Sequence, residues 1–317
     1  MFFLKENCIH NCIIIGSGPS GYSAAIYAAR YGLNPILFSG PNPGGQLTYT
    51  NDIENYLGFP ESIDGISFMD NCKKQALRFN TKILNKTINK VILSNDIGGT
   101  HRVFFGKSQD YLDSIGIIIA TGSSSSFLGI KKEKELVGLG ISFCATCDGF
   151  FHKEKDVAVV GGGDSALEET LYLSKICKKV YLLVRKNYLK ASKILQKKVF
   201  EKKNVEINFS SIVTEIIGND FLEGIKIFEK KNKTIRTVLL SGLFVAIGHI
   251  PNTDIFKNQI NLDNKGYIIV KKGSTITNKP GVFAAGDVMD INYRQAITSA
   301  STGCMAAIDL DKYLSSL

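Results

Sequence analysis

Cys12-Ile13-Ile14-Ile15 runs into Gly16-Ser17-Gly18-Pro19-Ser20-Gly21 and then into an alanine-rich segment from Tyr22 to Tyr31. Val157-Ala158-Val159-Val160 runs into Gly161-Gly162-Gly163-Asp164-Ser165-Ala166 and then into a segment reaching Leu173, with Leu167 and Leu171 on one helical face. Each reads as a strand, a tight turn and a helix. The first glycine (Gly16, Gly161) permits the turn, and the second (Gly18, Gly163) lets a pyrophosphate approach the backbone. The third position (Gly21, Ala166) lets helix and strand pack closely. Phosphates then sit at a helix N-terminus, where free N–H groups and the dipole favour anions. A chain carrying this unit twice is confined to an α/β fold with two Rossmann-like, three-layer nucleotide-binding domains.

The repeats begin 145 positions apart, and more than the turn recurs. After the first helix comes a strand, Pro35-Ile36-Leu37-Phe38, ending at Ser39-Gly40, where many such folds place an acid for the adenosine ribose; that acid is missing. The glycine-rich Gly44-Gly45-Gln46-Leu47 comes next, able to lay backbone along a flat ring, and then a mixed region of short strands and turns. Ile115 to Ala120 is an apolar strand closing on Thr121-Gly122, and residues 122–126 look like a linker. In the second repeat, Val180-Tyr181-Leu182-Leu183-Val184 ends in Arg185-Lys186, with Lys190 close behind. Bases where an acid would contact a 2′-hydroxyl argue for a 2′-phosphate, hence NADPH over NADH. Val205 to Phe209, Gly224 to Phe228 and the apolar run Gly242 to Gly248 read as a small sheet and a returning strand. The remaining chain holds one more strand, Gly281 to Ala285, ending in Gly286-Asp287, and a helix opened by Arg294-Gln295-Ala296. Too few residues remain for a third domain, so this strand rejoins the first sheet. The expected domains are 1–122 and 253–317 around an inserted 123–252.

Between the repeats stands Cys144-Ala145-Thr146-Cys147-Asp148. Two cysteines separated by two residues can close a small disulfide ring or chelate a soft metal, and the motif alone leaves these readings open. The other five of the seven cysteines are scattered, which is no disulfide framework. Cys8, His10 and Cys12 do not complete a tetrahedral set, so no metal site is expected. The formal charge of +9 comes from short dispersed lysine clusters without interleaved aromatics, which excludes a nucleic-acid stripe but suits steering of an acidic protein partner. No apolar stretch approaches the ~20 residues needed to span a bilayer, and no secretory signal opens the chain. A cytoplasmic protein without membrane attachment is expected.

Taken together, these motifs resemble those of the bacterial low-molecular-weight thioredoxin reductases, FAD-containing members of the pyridine nucleotide-disulfide oxidoreductases. The resemblance spans essentially the whole chain and rests also on Gly149 and on Gly248-His249-Ile250-Pro251-Asn252-Thr253. It implies FAD in the first domain, NADPH in the inserted one, a homodimer, and thioredoxin as partner. By the resemblance, Gly16, Ser17, Gly18, Pro19 and Gly21 would hold the FAD pyrophosphate. Ser39, Gly40, Gly44, Gly45, Gln46 and Leu47 would line the adenosine and flavin side, with Asn55, Thr121 and Gly122 as further contacts. Gly286 and Asp287 would lie near the ribityl and phosphate groups, and Arg294, Gln295 and Ala296 would place a helix N-terminus by the flavin ring. Gly161, Gly163, Asp164, Ser165, Arg185, Lys186 and Lys190 would bind NADPH. The family commonly has His-Arg-Arg where this chain has Val184-Arg185-Lys186, and arginine where it has Lys190, so discrimination against NADH should weaken.

The same resemblance assigns Cys144 to the partner and Cys147 to the flavin, with Asp148 placed to move a proton. Thiol pair and nicotinamide would both need one flavin face, which a rotation about the two linkers would allow. The rivals are a related flavoprotein serving a peroxidase or another thioredoxin-like partner, an oxygen-using dithiol oxidase, a ferredoxin-driven reductase, and a zinc-stabilised regulatory module without turnover.

Overall fold

The computed structural model describes residues 8–107 and 110–317. The chain divides into two compact units: a split unit made of the chain up to Ser124 together with Ile250–Leu317, and an inserted unit, Ser125–His249.

The split unit is built on a five-stranded parallel sheet in the order Val282–Ala284, Ile117–Ile119, Ile13–Ile15, Ile36–Phe38, Lys82–Leu84. Central parallel strands are covered on both faces, which is why Ile13-Ile14-Ile15 and Ile117-Ile118-Ile119 carry no polar position. Alternate side chains feed two cores. Ile14, Leu37, Ile118 and Phe283 pack with residues of the helices Pro19–Arg30, Gly65–Arg78 and Ala296–Ser315. Ile13, Ile15, Phe38 and Ile119 pack with residues of a four-stranded sheet ordered Ile9–His10, Asp110–Ser114, His101–Phe105, Ile88–Ile92. Each such buried side chain contributes about 1.5–3 kcal/mol.

The helix Gly65–Arg78 corrects the expectation of short strands and turns in this stretch. Asp64 caps it, accepting a hydrogen bond from the Ser67 N–H at 2.8 Å, and Phe68, Met69 and Ala76 are buried. The polar run Asn71 to Gln75 between those anchors hides the helical period from a local reading.

The inserted unit repeats the plan. Its parallel sheet runs Ile141–Ser142, Gly242–Val245, Asp156–Val160, Lys179–Val184, Val205–Phe209. One face packs on the helix Asp164–Leu173 through Val157, Val159, Leu182 and Phe244. The other packs through Ala158, Leu183, Leu243 and Val245 on an antiparallel sheet of Ser211–Ile217, Gly224–Glu229 and Thr234–Leu239. Val205–Phe209 is therefore the edge of the parallel sheet, not part of the small one. Its alternation of Val, Ile and Phe with Glu206 and Asn208 is what an edge strand with one wet face shows as well as a meander strand does.

The stretch from residue 122 to 126, expected to be a plain linker, contains the strand Ser123–Ser125, which pairs with His249–Pro251. Thr121 Oγ1 donates to the Asn252 carbonyl at 2.8 Å, and Asn252 Nδ2 donates to the Thr121 carbonyl at 2.9 Å.

In both sheets the strand entering the glycine turn is central. The fifth strand differs in origin: Val282–Ala284 comes late in the chain, whereas Ile141–Ser142 precedes its own fingerprint. The segment just beyond each fifth strand holds candidate site residues, Gly286-Asp287 in one unit and Cys144 to Asp148 in the other. Among the described residues, no helix is long and apolar enough to cross a membrane.

Candidate active site

The strand Ile141–Ser142 delivers Cys144 in extended conformation (φ −147°, ψ 102°), and one helical turn, Ala145–Asp148, comes directly after it. That turn brings Cys147 back over Cys144, and their sulfurs are bonded, with the Cα atoms 5.3 Å apart. The Cys147 N–H points at Cys144 Sγ at 3.2 Å, and the exposed Thr146 places Oγ1 3.3 Å from the same sulfur. Ala145 is buried in the helix-side core. At Gly149 a Cβ would stand 2.9 Å from Leu173 Cδ2 and 3.0 Å from Tyr172 Cε1, so glycine lets the turn seat against the helix Asp164–Leu173. The bonded pair fits the redox ring, one of the two readings that the spacing left open.

Asp148 lies beside it. Burial pushes its carboxyl above the usual carboxylate range, and a hydrogen bond with the Ser142 hydroxyl partly offsets that. A carboxyl that keeps its proton to higher pH suits proton donation to a thiolate. Ser142 was not legible as a site residue. Its only local signal is a small polar side chain in an otherwise apolar run, yet it is 5% exposed and accepts the Cys144 N–H at 3.0 Å.

The inserted unit's glycine turn lies after the next strand. At Gly161 a Cβ would meet the Ala246 carbonyl oxygen at 2.4 Å and Ala166 Cβ at 2.6 Å, whereas Gly163 faces open space. Gly163 begins the helix Asp164–Leu173 without a side-chain cap, leaving the first-turn amides for an anion. Asp164 accepts the Ser192 N–H at 2.8 Å, and Ser165 is exposed. Arg185, Lys186 and Lys190 are all exposed beyond the strand end, and the Lys190 N–H ties to the Gly162 carbonyl at 2.7 Å. Val184 is buried, 3% exposed, and packs in the core. Tyr188, which sequence reasoning passed over, sets its hydroxyl 2.7 Å from Lys186 Nζ.

The split unit gathers its candidate residues at the matching edge. A Cβ at Gly16 (φ +117°) would stand 2.1 Å from the Ala120 carbonyl oxygen, and one at Gly21 would stand 2.1 Å from the Gly16 carbonyl oxygen. Gly18 faces open space and precedes Pro19 at the uncapped start of its helix. Ser17 is buried, donating to the Ser39 carbonyl at 2.8 Å and accepting the Gly44 N–H at 3.0 Å. Gly45 comes close enough that its Cβ would lie 3.5 Å from Gly18 Cα, and the Gln46 amide donates to the Ser123 carbonyl. Leu47 lies in the same turn, Gly45–Tyr49, partly buried against the core. Thr121 and Gly122 both hold Asn252, Gly122 through its carbonyl at 3.0 Å, and Gly40 donates to the Lys86 carbonyl.

Gly286 donates to Thr302 Oγ1 at 2.9 Å, and a Cβ there would strike Ser20 Oγ at 2.6 Å. Asp287 accepts from the Ser299 hydroxyl at 3.0 Å; burial raises its carboxyl, against the lowering effects of that hydroxyl and of Arg294. Arg294 (φ +48°) donates its N–H to Asp290, and Gln295 caps the helix that starts at Ala296 in a reciprocal box with Thr298. Among the described residues, the contacts do not draw Asn55 into this group; it is exposed on the loop between the bridged Ile53 and Ile63. Cys8 is exposed and Cys12 is buried in the core.

Two open, anion-ready helix starts with glycine cradles fit two nucleotide phosphates, and a disulfide on one of the units fits two-electron chemistry. The family model for pyridine nucleotide-disulphide oxidoreductases matches residues 10–306. The thioredoxin reductase of Rickettsia bellii is 50% identical over 305 residues, covering 95% of this chain and 97% of that protein. The Rickettsia prowazekii thioredoxin reductase is 47% identical with the same coverage. The crystal structure of thioredoxin reductase from Streptococcus pyogenes aligns with a TM-score of 0.92 at 35% identity, covering 98% of this chain and 100% of that one. With identity and fold agreeing across nearly its full length, the chain belongs to the pyridine nucleotide-disulphide oxidoreductase family and, within it, to the thioredoxin reductases.

Proposed function

We propose that the chain carries reducing equivalents from NADPH, through FAD and the Cys144–Cys147 pair, to the disulfide of oxidised thioredoxin. The observation that carries this is the bonded Cys144–Cys147 pair, set one strand before a nucleotide-binding turn in the same unit. When bound, FAD supplies the two-electron chemistry between NADPH and the disulfide.

The residues of the chain do the rest. Gly16, Ser17, Gly18, Pro19 and Gly21 hold the FAD pyrophosphate; Ser39, Gly40, Gly44 to Leu47, Asn55, Thr121 and Gly122 line the cofactor; Gly286, Asp287 and Arg294 to Ala296 complete that side. Gly161, Gly163, Asp164 and Ser165 hold NADPH, with Arg185, Lys186 and Lys190 at its 2′-phosphate. In the reduced pair, the Cys144 thiolate attacks one sulfur of the partner disulfide, forming a mixed disulfide and expelling a partner thiolate. Cys147 then attacks Cys144, re-forms the ring and expels the second partner thiolate, so the partner gains the two electrons that the pair loses. Asp148 hands a proton to a departing thiolate, directly or through water. In this reading 1–122 and 253–317 form the FAD domain, 123–252 the NADPH domain, and the protein acts as a homodimer in the cytoplasm. The resemblance of the motifs supports these last assignments.

Anaerobic titration with NADPH, and then addition of oxidised thioredoxin, tests the reading. Cys144→Ser and Cys147→Ser should each keep flavin bleaching by NADPH and lose thioredoxin reduction by at least about 1000-fold. Full thioredoxin reduction in either variant would overturn it. Bleaching without transfer to thioredoxin in the unsubstituted protein would point to another disulfide partner.

A further inference from the structure

We propose that Tyr188 is a specificity-determining residue of the dinucleotide site on the inserted unit: its hydroxyl and the Lys186 ammonium form one two-atom donor set for a 2′-phosphate, doing with two side chains what a guanidinium fork does with one. This deepens the reading of that unit as the NADPH site and rests on it.

The strand Lys179–Val184 has cations at its start and just past its end, in opposite situations. At its start, Lys179 Nζ lies 2.7 Å from the carboxylate of Glu206, which also pairs with Arg236 at 2.9 Å. Past its end, Arg185, Lys186 and Lys190 are exposed. Among the described residues, none of these three has a carboxylate partner. Three like charges gathered on one short loop repel one another, and a phosphate is the kind of group that relieves the repulsion.

The loop is fastened to the glycine turn from below. The Lys190 and Ala191 N–H groups both donate to the Gly162 carbonyl, at 2.7 and 3.2 Å, and the Ser210 N–H donates to the Lys186 carbonyl at 3.0 Å. Gln196 Nε2 donates to the Ala191 carbonyl at 2.6 Å, and Leu189 is buried in the helix-side core. At Gly162 a Cβ would stand 3.0 Å from Val184 Cγ1, so the glycine turn and the strand end are in close contact. The backbone that carries Lys186 and Tyr188 is therefore set relative to the open helix start at Gly163, while both side chains stand in solvent.

Lys186 Nζ donates to Tyr188 Oη at 2.7 Å and lies 4.9 Å from the ring centroid. An ammonium has three protons to give, and a phenol oxygen that accepts one of them still has its own proton to give. The pair thus offers N–H and O–H donors from adjoining atoms. Lysine alone is a point charge on a flexible stem; the bond to Tyr188 restricts that stem before a ligand arrives, which lowers the cost of ordering it on binding. The bond and the charge of Lys186 also hold the Tyr188 hydroxyl below its usual range, and a more acidic phenol is the better donor to an anion.

The test is calorimetric binding of adenosine 2′,5′-bisphosphate and of adenosine 5′-monophosphate to the FAD-loaded protein. The unsubstituted chain should bind the bisphosphate more tightly. Tyr188→Phe, which keeps the ring and removes the hydroxyl, should weaken the bisphosphate roughly five- to tenfold and the monophosphate less than about twofold. In Lys186→Arg the guanidinium brings its own fork, so Tyr188→Phe on that background should cost the bisphosphate less than about twofold. Tyr188 is half exposed, so these variants should melt with the unsubstituted protein. No loss of bisphosphate affinity in Tyr188→Phe, an equal loss for both ligands, or an undiminished loss on the Lys186→Arg background would each overturn the proposal. An unsubstituted chain that binds the bisphosphate no more tightly than the monophosphate would overturn the NADPH reading beneath it, so the two failures are distinguishable.

Discussion

Gly16 and Gly18 stand two residues apart in one turn and serve different ends. Gly16 is structural: its φ of +117° and the 2.1 Å approach of the Ala120 carbonyl to a Cβ leave no room for a side chain. Gly16→Ala should therefore destabilise the protein by ~2–5 kcal/mol, seen as a lower thermal midpoint. Gly18 meets nothing within 4 Å, and its φ of −69° suits any residue. Gly18→Ala should leave stability within about 0.5 kcal/mol while weakening FAD retention at least tenfold, because a methyl then occupies the space the phosphate needs. Flavin content after dialysis, read beside the melting curve, separates the two, and a Gly18→Ala protein that keeps its flavin would remove that glycine from the cofactor site. The same logic applies at the basic strand end. Arg185, Lys186 and Lys190 stand in solvent, where two of the three are point charges without a fork, while Val184 turns inward and has no polar group to offer.

Among the elements, the edge strand Ile141–Ser142 and the turns after it matter most to the chemistry. Its two residues are too short a run to read as a strand from sequence, and only pairing with Gly242–Val245 makes them one. The turn Gly149–His152 fastens the redox motif to that same strand. His152 Nδ1 lies 3.0 Å from Ser241 Oγ, its ring stands edge-on to Phe244, and Gly242 lacks the side chain that would collide with it. Burial, with Lys155 adding to it, pushes the imidazole down to about 4. The depressed value means the unfolded chain binds the proton more readily, so this anchor is fully stabilising above pH 6.5 and weakens as pH falls toward 4. Between pH 7 and pH 5 the unsubstituted protein should lose about 2 kcal/mol more than His152→Gln, checked by urea unfolding at both values. An equal loss in the two proteins would show that His152 is not the titrating anchor.

For the whole molecule, the decisive fact is that one unit interrupts the other, and the two crossings pair as Ser123–Ser125 with His249–Pro251. In the proposed function, the dithiol and the NADPH-binding turn lie on the inserted unit and both serve a flavin held by the split unit. We propose a rotation about these crossings that exchanges them. A covalent link engineered between the units should stop turnover while leaving one half-reaction intact, monitored by stopped-flow flavin absorbance; unchanged turnover in the linked protein would sink the rotation. The sequence by itself determined the two strand–turn–helix units, their repeat and the return of Gly281 to Ala285 to the first sheet, because glycine sterics and unbroken apolar runs are local and survive without partners. It also singled out Cys144, Cys147 and Asp148, since their spacing alone limits what they can do. Only the tertiary structure decided that Val205–Phe209 closes the parallel sheet, that Gly65–Arg78 is a helix, and that Ser142 and His152 attend the dithiol. Those depend on which distant strand supplies the burial and the hydrogen-bond partner, and strand pairing over a hundred residues leaves no mark in the local pattern.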